Sequence, residues 1–208
     1  MKQKKKSDVA VLLGYAGSHK GLTFLGLALS AVSMLLSMAP YICIWLAARD
    51  LIAVAPDWTK AQSVAQYGWL AFAFAVAGII LYFAGLMCTH LAAFRTASNI
   101  RKQGVAHVMK APLGFFDSNA SGLIRGRLDA AAADTETLLA HNLADIVGTI
   151  TLFTAMLVMM FIFDWRMGAA CLLAAVISIV AMFSMMGGKN AKILAEYQAA
   201  LDLSLIHI

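Results

Sequence analysis

Five histidines, three cysteines and a scatter of carboxylates are the groups of this chain that could do chemistry. Metal ligation wants such side chains at close spacing, as when two His sit four residues apart on one helix face. His90, His107 and His141 are instead spread over about 50 residues without that spacing, and read as interfacial histidines. Cys43, Cys88 and Cys171 stand singly in apolar runs, with no C-x-x-C pair and no His cluster. They read as small packing residues. Met156, Met159 and Met160, with Met182, Met185 and Met186, could offer soft ligands or an adaptable wall; packing or lipid-facing methionine is the plainer reading. Asp145 falls at the edge of an apolar run and reads as an interfacial carboxylate, not a proton relay. No stretch reads G-x-x-x-x-G-K-[ST], so the sequence offers no phosphate cradle. The expectation is no catalytic residue and no metal site in this chain.

These groups lie in a chain that is 62% hydrophobic and 13% charged. Its mean hydropathy is +0.79. Soluble domains carry roughly 25% charged residues, and a soluble chain this apolar would expose large sticky patches. The composition is that of a membrane protein. Crossing a bilayer takes about 20 mostly apolar residues. Residues 21–48, 61–89, 146–163 and 167–188 carry no charge. With their flanks they predict four spans at about 21–48, 61–94, 142–163 and 167–188. Asp164 and Arg166 flank Trp165 between the last two, which predicts a tight helical hairpin.

The charges set an orientation. Of 16 Lys and Arg, 13 lie in the N-terminal arm, the central polar segment and the tail. Only Arg49, Lys60 and Arg166 lie in the two other connections. The positive-inside rule puts the first group in the cytoplasm. The net charge of +5 then calls for no nucleic-acid partner. Trp45, Trp58, Trp69 and Trp165 fall near the opposite surface, with Tyr41 and Tyr67 close to the same level, where indole and phenol rings favour the headgroup layer.

The segment 1–20 is a basic lead-in: Lys2, Lys4, Lys5 and Lys6, then "VAVLLGYAG". The latter is either an elbow helix along the inner membrane surface or a frayed arm. The first apolar run is too long and too far from the lysines for a signal peptide, and reads as an uncleaved span. Pro40 predicts a bend in it. That bend could open a gap for a ligand; fitting a neighbouring helix is the reading preferred. Pro56 and Asp57 mark the turn of a short outer loop at 49–60.

The second span continues past the membrane. Ala93, Ala97, Ile100, Gly104 and Val108 recur at three- and four-residue spacing and form one small, apolar helix face. Arg95, Asn99, Lys102, Gln103 and Lys110 take the other faces. About 16 residues beyond the membrane reach roughly 25 Å. Pro112 ends this arm. A returning helix is predicted over about 121–148, with Leu123, Leu128, Ala131, Leu138 and Leu139 as a broken apolar stripe. Asp129, Asp134 and Glu136 give it an acidic balance against the basic outgoing arm. Gly122 and Gly126 lie outside the spans, so they are not a membrane dimer motif. The segment 95–141 is therefore a long hairpin with "APLGFFDSNASGLIRGRL" at its turn. Phe115 and Phe116 at that turn either fill a groove on a partner, as aromatic anchors do, or fold back on the hairpin.

The pattern Pro112, Phe115, Phe116, Asp117, Gly122, Arg127, Leu128 and Asp134 resembles the transmembrane domain of ABC transporters of the exporter-fold class. The resemblance covers about residues 8–200. "THLAAFRTASNIRK" and "TETLLAHNLAD" are similar to the subgroup that includes siderophore importers with an exporter-type fold. The resemblance implies an all-α, polytopic fold with long cytoplasmic helical extensions, at the bacterial inner membrane with its N-terminus inside. It implies that a coupling helix at about 111–118, with Pro112, Leu113, Phe115, Phe116 and Asp117, docks on a nucleotide-binding domain. Gly122, Arg127, Leu128 and Asp134 complete the hairpin motif. ATP and Mg would be bound by that domain, not by this chain, which also lacks a Leu-Ser-Gly-Gly signature. A second transmembrane half, as homodimer or heterodimer, is implied with it. The family has six spans where four are predicted here, and "LSLIHI" at 203–208 departs from the expected helical pattern. The expectation is therefore a truncated N-terminal part with a non-native tail, substrate contacts unassigned. A non-transporting membrane scaffold or sensor with a cytoplasmic hairpin is the alternative function.

Overall fold

The structure, a computed structural model, describes residues 8–118, 121–186 and 189–207. Lys2, Lys4, Lys5 and Lys6 of the basic arm, Asn119 and Ala120 of the hairpin turn, Gly187 and Gly188 of the fourth predicted span, and Ile208 lie outside the described residues. So do the side chains of Asp117 and Ser118. Every element among the described residues is helical, as the all-α reading expects. Four helical stretches are long and apolar enough to cross a membrane: Gly17–Val54, Val64–Val108, Ser121–Phe163 and Trp165–Met185. The chain divides into two compact units, Met1–Gln103 with Ala132–Phe153, and Gly104–Ala131 with Thr154–Ile208.

The first unit opens with α1, Asp8–Tyr15. Residues 8–15 of the lead-in are thus helical. Gly17 turns the chain at φ +58°, a backbone state that suits only glycine well. A 3-10 turn, Gly17–His19, leads into α2, Lys20–Val54. The Asn99 side-chain amide donates to the Tyr15 carbonyl at 2.9 Å, which ties the end of α1 to the third helix. α2 passes through Pro40 without ending. Proline removes one intrahelical donor, and membrane helices tolerate that where neighbours hold the segment. α2 also runs beyond the predicted 48, through Arg49 and Asp50. Outside the hydrocarbon those charges cost nothing to expose, and the Arg49 guanidinium lies 5.2 Å above the Trp45 ring. The turn that follows is closed by Asp57 N donating to Val54 O at 2.8 Å and the Thr59 hydroxyl donating to Asp57 Oδ1 at 2.7 Å.

α3, Val64–Val108, is one 45-residue helix. At 1.5 Å per residue it is about 68 Å long, more than twice the hydrocarbon thickness of roughly 30 Å. It must leave the bilayer. α2 and α3 pack through small residues. A Cβ built at Gly26 would lie 2.9 Å from Gly85 O and 3.1 Å from Thr89 N. Near Gly78 the neighbours are Ser37 Oγ at 3.3 Å and Ser33 O at 3.5 Å. In lipid, where apolar burial gives helices no net attraction, such backbone approach supplies the dispersion contacts.

Hydroxyls in this unit find acceptors in two ways, while Thr23 Oγ1 is buried without a hydrogen-bond partner among the described residues. Buried Ser33 and Thr96, and the more exposed Ser37, donate to carbonyls one turn back on their own helices. Thr89 and Ser30 also reach across. Thr89 Oγ1 donates to Ala140 O at 3.0 Å, and Ser30 Oγ to Ala144 O at 3.2 Å. Ala140 lies within a feature the sequence did not predict, and Ala144 just after it. Between α5, Ser121–Thr137, and α6, Leu143–Phe163, the chain forms a π-helical segment, Leu138–Asn142. A π turn shifts the carbonyl ladder by one residue; the α3 donor stands at a carbonyl within it, and the α2 donor at Ala144 just beyond it in α6. Ala93, Leu139 and Ala140 form the apolar centre, with Leu143 against it.

In the second unit a single residue, Asp164, separates the end of α6 from α7, Trp165–Met186. The Asp164 carboxylate accepts from Arg166 N at 2.8 Å and so caps α7. A Cβ on Gly168 would lie 2.7 Å from Phe161 Cγ, so the hairpin closes only with glycine there. The predicted tight turn is what forms. α8, Lys189–His207, continues through the Leu203–His207 stretch. Across the spans large apolar side chains face outward, among them Trp69, Ile80, Phe83, Ile162 and Val180. Lipid, or further helices, is the environment such faces need.

Candidate functional site

The outgoing arm is the last part of α3. Its predicted small-residue face is the buried one. Ala93 and Ala97 are fully buried, and Ile100, Gly104 and Val108 are half-buried. Arg95, Lys102, Gln103 and Lys110 are exposed. On the returning arm the buried positions are Ala132, Thr135 and Leu139, with Leu128 half-buried one turn before. This corrects the predicted stripe in part: Ala131 is exposed and Ala132 is buried. The steps 128, 132, 135 and 139 follow the 3.6 period better than the large apolar residues alone do. Small Ala and Thr carry the contact where large Leu was sought.

The arms touch at Gly104 and Leu128. A Cβ on Gly104 would run into Leu128 Cδ1, with Leu128 Cγ 3.3 Å away. Leu128 of the hairpin motif thus has a packing role. Gly122 does not: a Cβ built there would meet no atom within 4 Å. Arg127 and Asp134 are both exposed, on α5. The ion pair described on this helix is Arg125 with Asp129 at 3.7 Å, four residues apart and solvated. Such a pair adds little stability.

The turn itself is compact. Met109, Lys110 and Ala111 end the helical hydrogen bonding of α3 on carbonyls of 105, 107 and 108. Pro112 then provides the acceptor for Phe115 N at 2.9 Å, and Leu113 O accepts from Phe116 N at 2.9 Å. These bonds start α4, Gly114–Ser118. The Phe115 and Phe116 rings meet edge to face, 5.4 Å apart at 85°. They are 37% and 38% exposed, Leu113 is 87% and Met109 79% exposed. The structure therefore brings Pro112, Leu113, Phe115 and Phe116 together at one apolar tip, with Asp117 next in the same short helix. The two phenylalanines shield each other partly, yet the tip remains an apolar knob in a polar segment.

Two other features complete the inventory. In the first unit, Ser33, Met34, Ser37, Gly78, Ile79 and Tyr82 line a groove of about 220 Å³ between α2 and α3. Sequence reasoning also missed that His90 and His141 come together, their rings 4.7 Å apart and perpendicular. No local spacing could reveal a pair made by the register of two helices. Among the described residues, no group of three or more His, Cys, Asp or Glu could hold a metal ion. Cys43, Cys88 and Cys171 are free thiols, Cys43 buried and the others half-buried.

Comparison with known proteins adds the family. Residues 23–202 match the family described as the ABC transporter transmembrane region. The chain is 27% identical over 179 residues to the mycobactin import ATP-binding/permease protein IrtA of Mycolicibacterium smegmatis, covering 85% of this chain and 20% of that protein. It is 24% identical over 165 residues to the protein of the same name from Mycolicibacterium thermoresistibile, covering 79% of this chain and 18% of that one. The chain thus spans about a fifth of the length of these relatives. The chain is a multi-pass membrane protein and belongs to the ABC transporter transmembrane region family.

Proposed function

We propose that this region is the membrane-spanning part of an ATP-driven transporter that moves a small molecule across the bacterial inner membrane by alternating access. Its N-terminus and the hairpin face the cytoplasm, in line with 13 of 16 Lys and Arg falling on that side. A nucleotide-binding domain, in the same protein or a separate one, binds ATP and Mg. A second transmembrane half, identical or related, completes the pathway. The likeness to mycobactin import proteins favours an iron-siderophore as cargo.

The observation that carries the reading is the tip. Met109, Leu113, Phe115 and Phe116 present an apolar surface at the turn of two long helices. An exposed aromatic pair on a rigid projection is suited to a groove on a partner, where such anchors supply most of the interaction energy. Docked on a nucleotide-binding domain, Pro112, Leu113, Phe115, Phe116 and Asp117 transmit its closure to the spans. The arms act as levers because their helices are continuous and because Gly104 and Leu128 hold them together.

The test is reconstitution of the full transporter containing this region into proteoliposomes. ATP hydrolysis and movement of a ferric siderophore are measured together. ATP-dependent transport is expected. A full-length protein that neither hydrolyses ATP nor moves any cargo of this class would support a scaffold or sensor instead.

A further inference from the structure

We propose that His90 and His141 form a two-histidine site for a divalent cation of the zinc, nickel and copper class, clamping α3 to the π-helical turn.

The two residues are 51 positions apart in sequence and lie on different helical segments, α3 and Leu138–Asn142, within the first unit. Their pairing is built, not incidental. The residue before each is engaged in the same buried contact: Thr89 Oγ1 donates to Ala140 O at 3.0 Å, and Thr89 is fully buried. That bond fixes the spacing of the two backbones one residue from both imidazoles. The rings project from it together, 4.7 Å apart and at 89°.

The state of the His90 ring suits a ligand. Its Nδ1 lies 2.9 Å from the Leu86 carbonyl. A carbonyl only accepts, so Nδ1 carries the proton in that bond, and in the neutral ring Nε2 keeps its lone pair. An N–H to a backbone carbonyl on one nitrogen and a free lone pair on the other is how metal-binding histidines are oriented. Phe94 packs edge-on against the His90 ring, with centroids 6.1 Å apart, and limits its rotation. His90 is half-buried while His141 is exposed, so one ligand is held and the other is free to adjust.

The distance agrees with shared ligation. A metal–nitrogen bond of about 2.0–2.1 Å lets rings whose centres stand 4.7 Å apart share one ion once the exposed His141 ring turns its free nitrogen toward that of His90. Imidazole nitrogen selects borderline ions over Mg and Ca. No third His, Cys, Asp or Glu joins the pair among the described residues. Water therefore fills the remaining positions, and the site is open and exchangeable, unlike a closed structural zinc site. The π turn adds to the case, because such segments are often kept where a side chain must be re-aimed for function. An ion bridging the two elements holds them in one register. This inference does not depend on the transport reading.

The test uses the full chain in detergent micelles, with any affinity tag removed. Zn²⁺ is titrated by calorimetry against the wild type and the His90→Gln, His141→Gln and His107→Gln variants, with helix content followed by circular dichroism. The wild type binds one ion at the site. His90→Gln and His141→Gln each weaken binding by about tenfold or more, and His107→Gln leaves it unchanged. X-ray absorption at the zinc edge of the wild-type complex, which needs no substitution, counts two imidazole ligands. Equal affinity in the wild type and the His90→Gln/His141→Gln double variant overturns the proposal. So does a spectrum with one imidazole or with thiolate sulfur, which would mark binding elsewhere.

Discussion

Gly104 on the outgoing arm and Leu128 on the returning arm meet so closely that any side chain at 104 would strike the leucine methyl. Gly26 and Gly85 meet in the same manner between α2 and α3, but there the obstacle is backbone: Gly85 O would stand 2.9 Å from a Cβ at 26. The two contacts respond differently to the same substitution.

Gly104→Ala is expected to be close to neutral. The Leu128 end can rotate away, and alanine in place of a helical glycine gains about 1 kcal/mol. Gly26→Ala is expected to destabilise by about 1–3 kcal/mol, because a backbone carbonyl cannot retreat without moving a helix. Thermal unfolding of the two variants in one detergent checks this. Equal losses at both positions would show that the arms and the spans are packed with the same rigidity.

Thr89→Val keeps the shape of the side chain and removes the donor to Ala140 O. Interhelical hydrogen bonds in membranes contribute about 0.6 kcal/mol on average and up to about 2. A loss of roughly 1 kcal/mol is expected, read from a reversible unfolding titration in mixed micelles. Unchanged stability would mean that the π-helical carbonyl is satisfied without α3.

Orientation is tested by accessibility. In a chain with Cys43, Cys88 and Cys171 replaced by alanine, a single cysteine at Thr59 should react with an impermeant thiol reagent in intact cells. One at Ser118 should react only after the membrane is opened. The opposite pattern would invert the assignment of the basic segments to the cytoplasm.

Much of this architecture was legible because membrane helices write their limits in uncharged runs. Asp164 and Arg166 around Trp165 predict a tight hairpin, and one is present, with Asp164 alone between the two helices. The buried face at Ala93 and Ala97 was legible from periodicity, and the apolar tip from Pro112 and the Phe pair. What stayed hidden depends on how two helices sit in register. Ala132 and Thr135 look unremarkable in sequence, yet they are buried because small residues let helices approach. The π turn at Leu138–Asn142 has no sequence signature of its own, and His141, which pairs with His90, lies within it. α2 runs on through Arg49 and Asp50 to Val54, because charge ends the apolar part of a helix and not the helix itself.

The central claim is that the tip around Phe116 transmits ATP-driven motion to the spans. The most direct measurement is substrate-stimulated ATP hydrolysis by the full transporter carrying Phe116→Ala, reconstituted in proteoliposomes at matched protein level. The aromatic ring is 38% exposed, so its removal should leave folding and membrane insertion intact. Loss of an interface anchor of about 2 kcal/mol or more should lower stimulated hydrolysis and transport together by roughly tenfold or more. Stimulated hydrolysis and transport both equal to wild type would contradict the account.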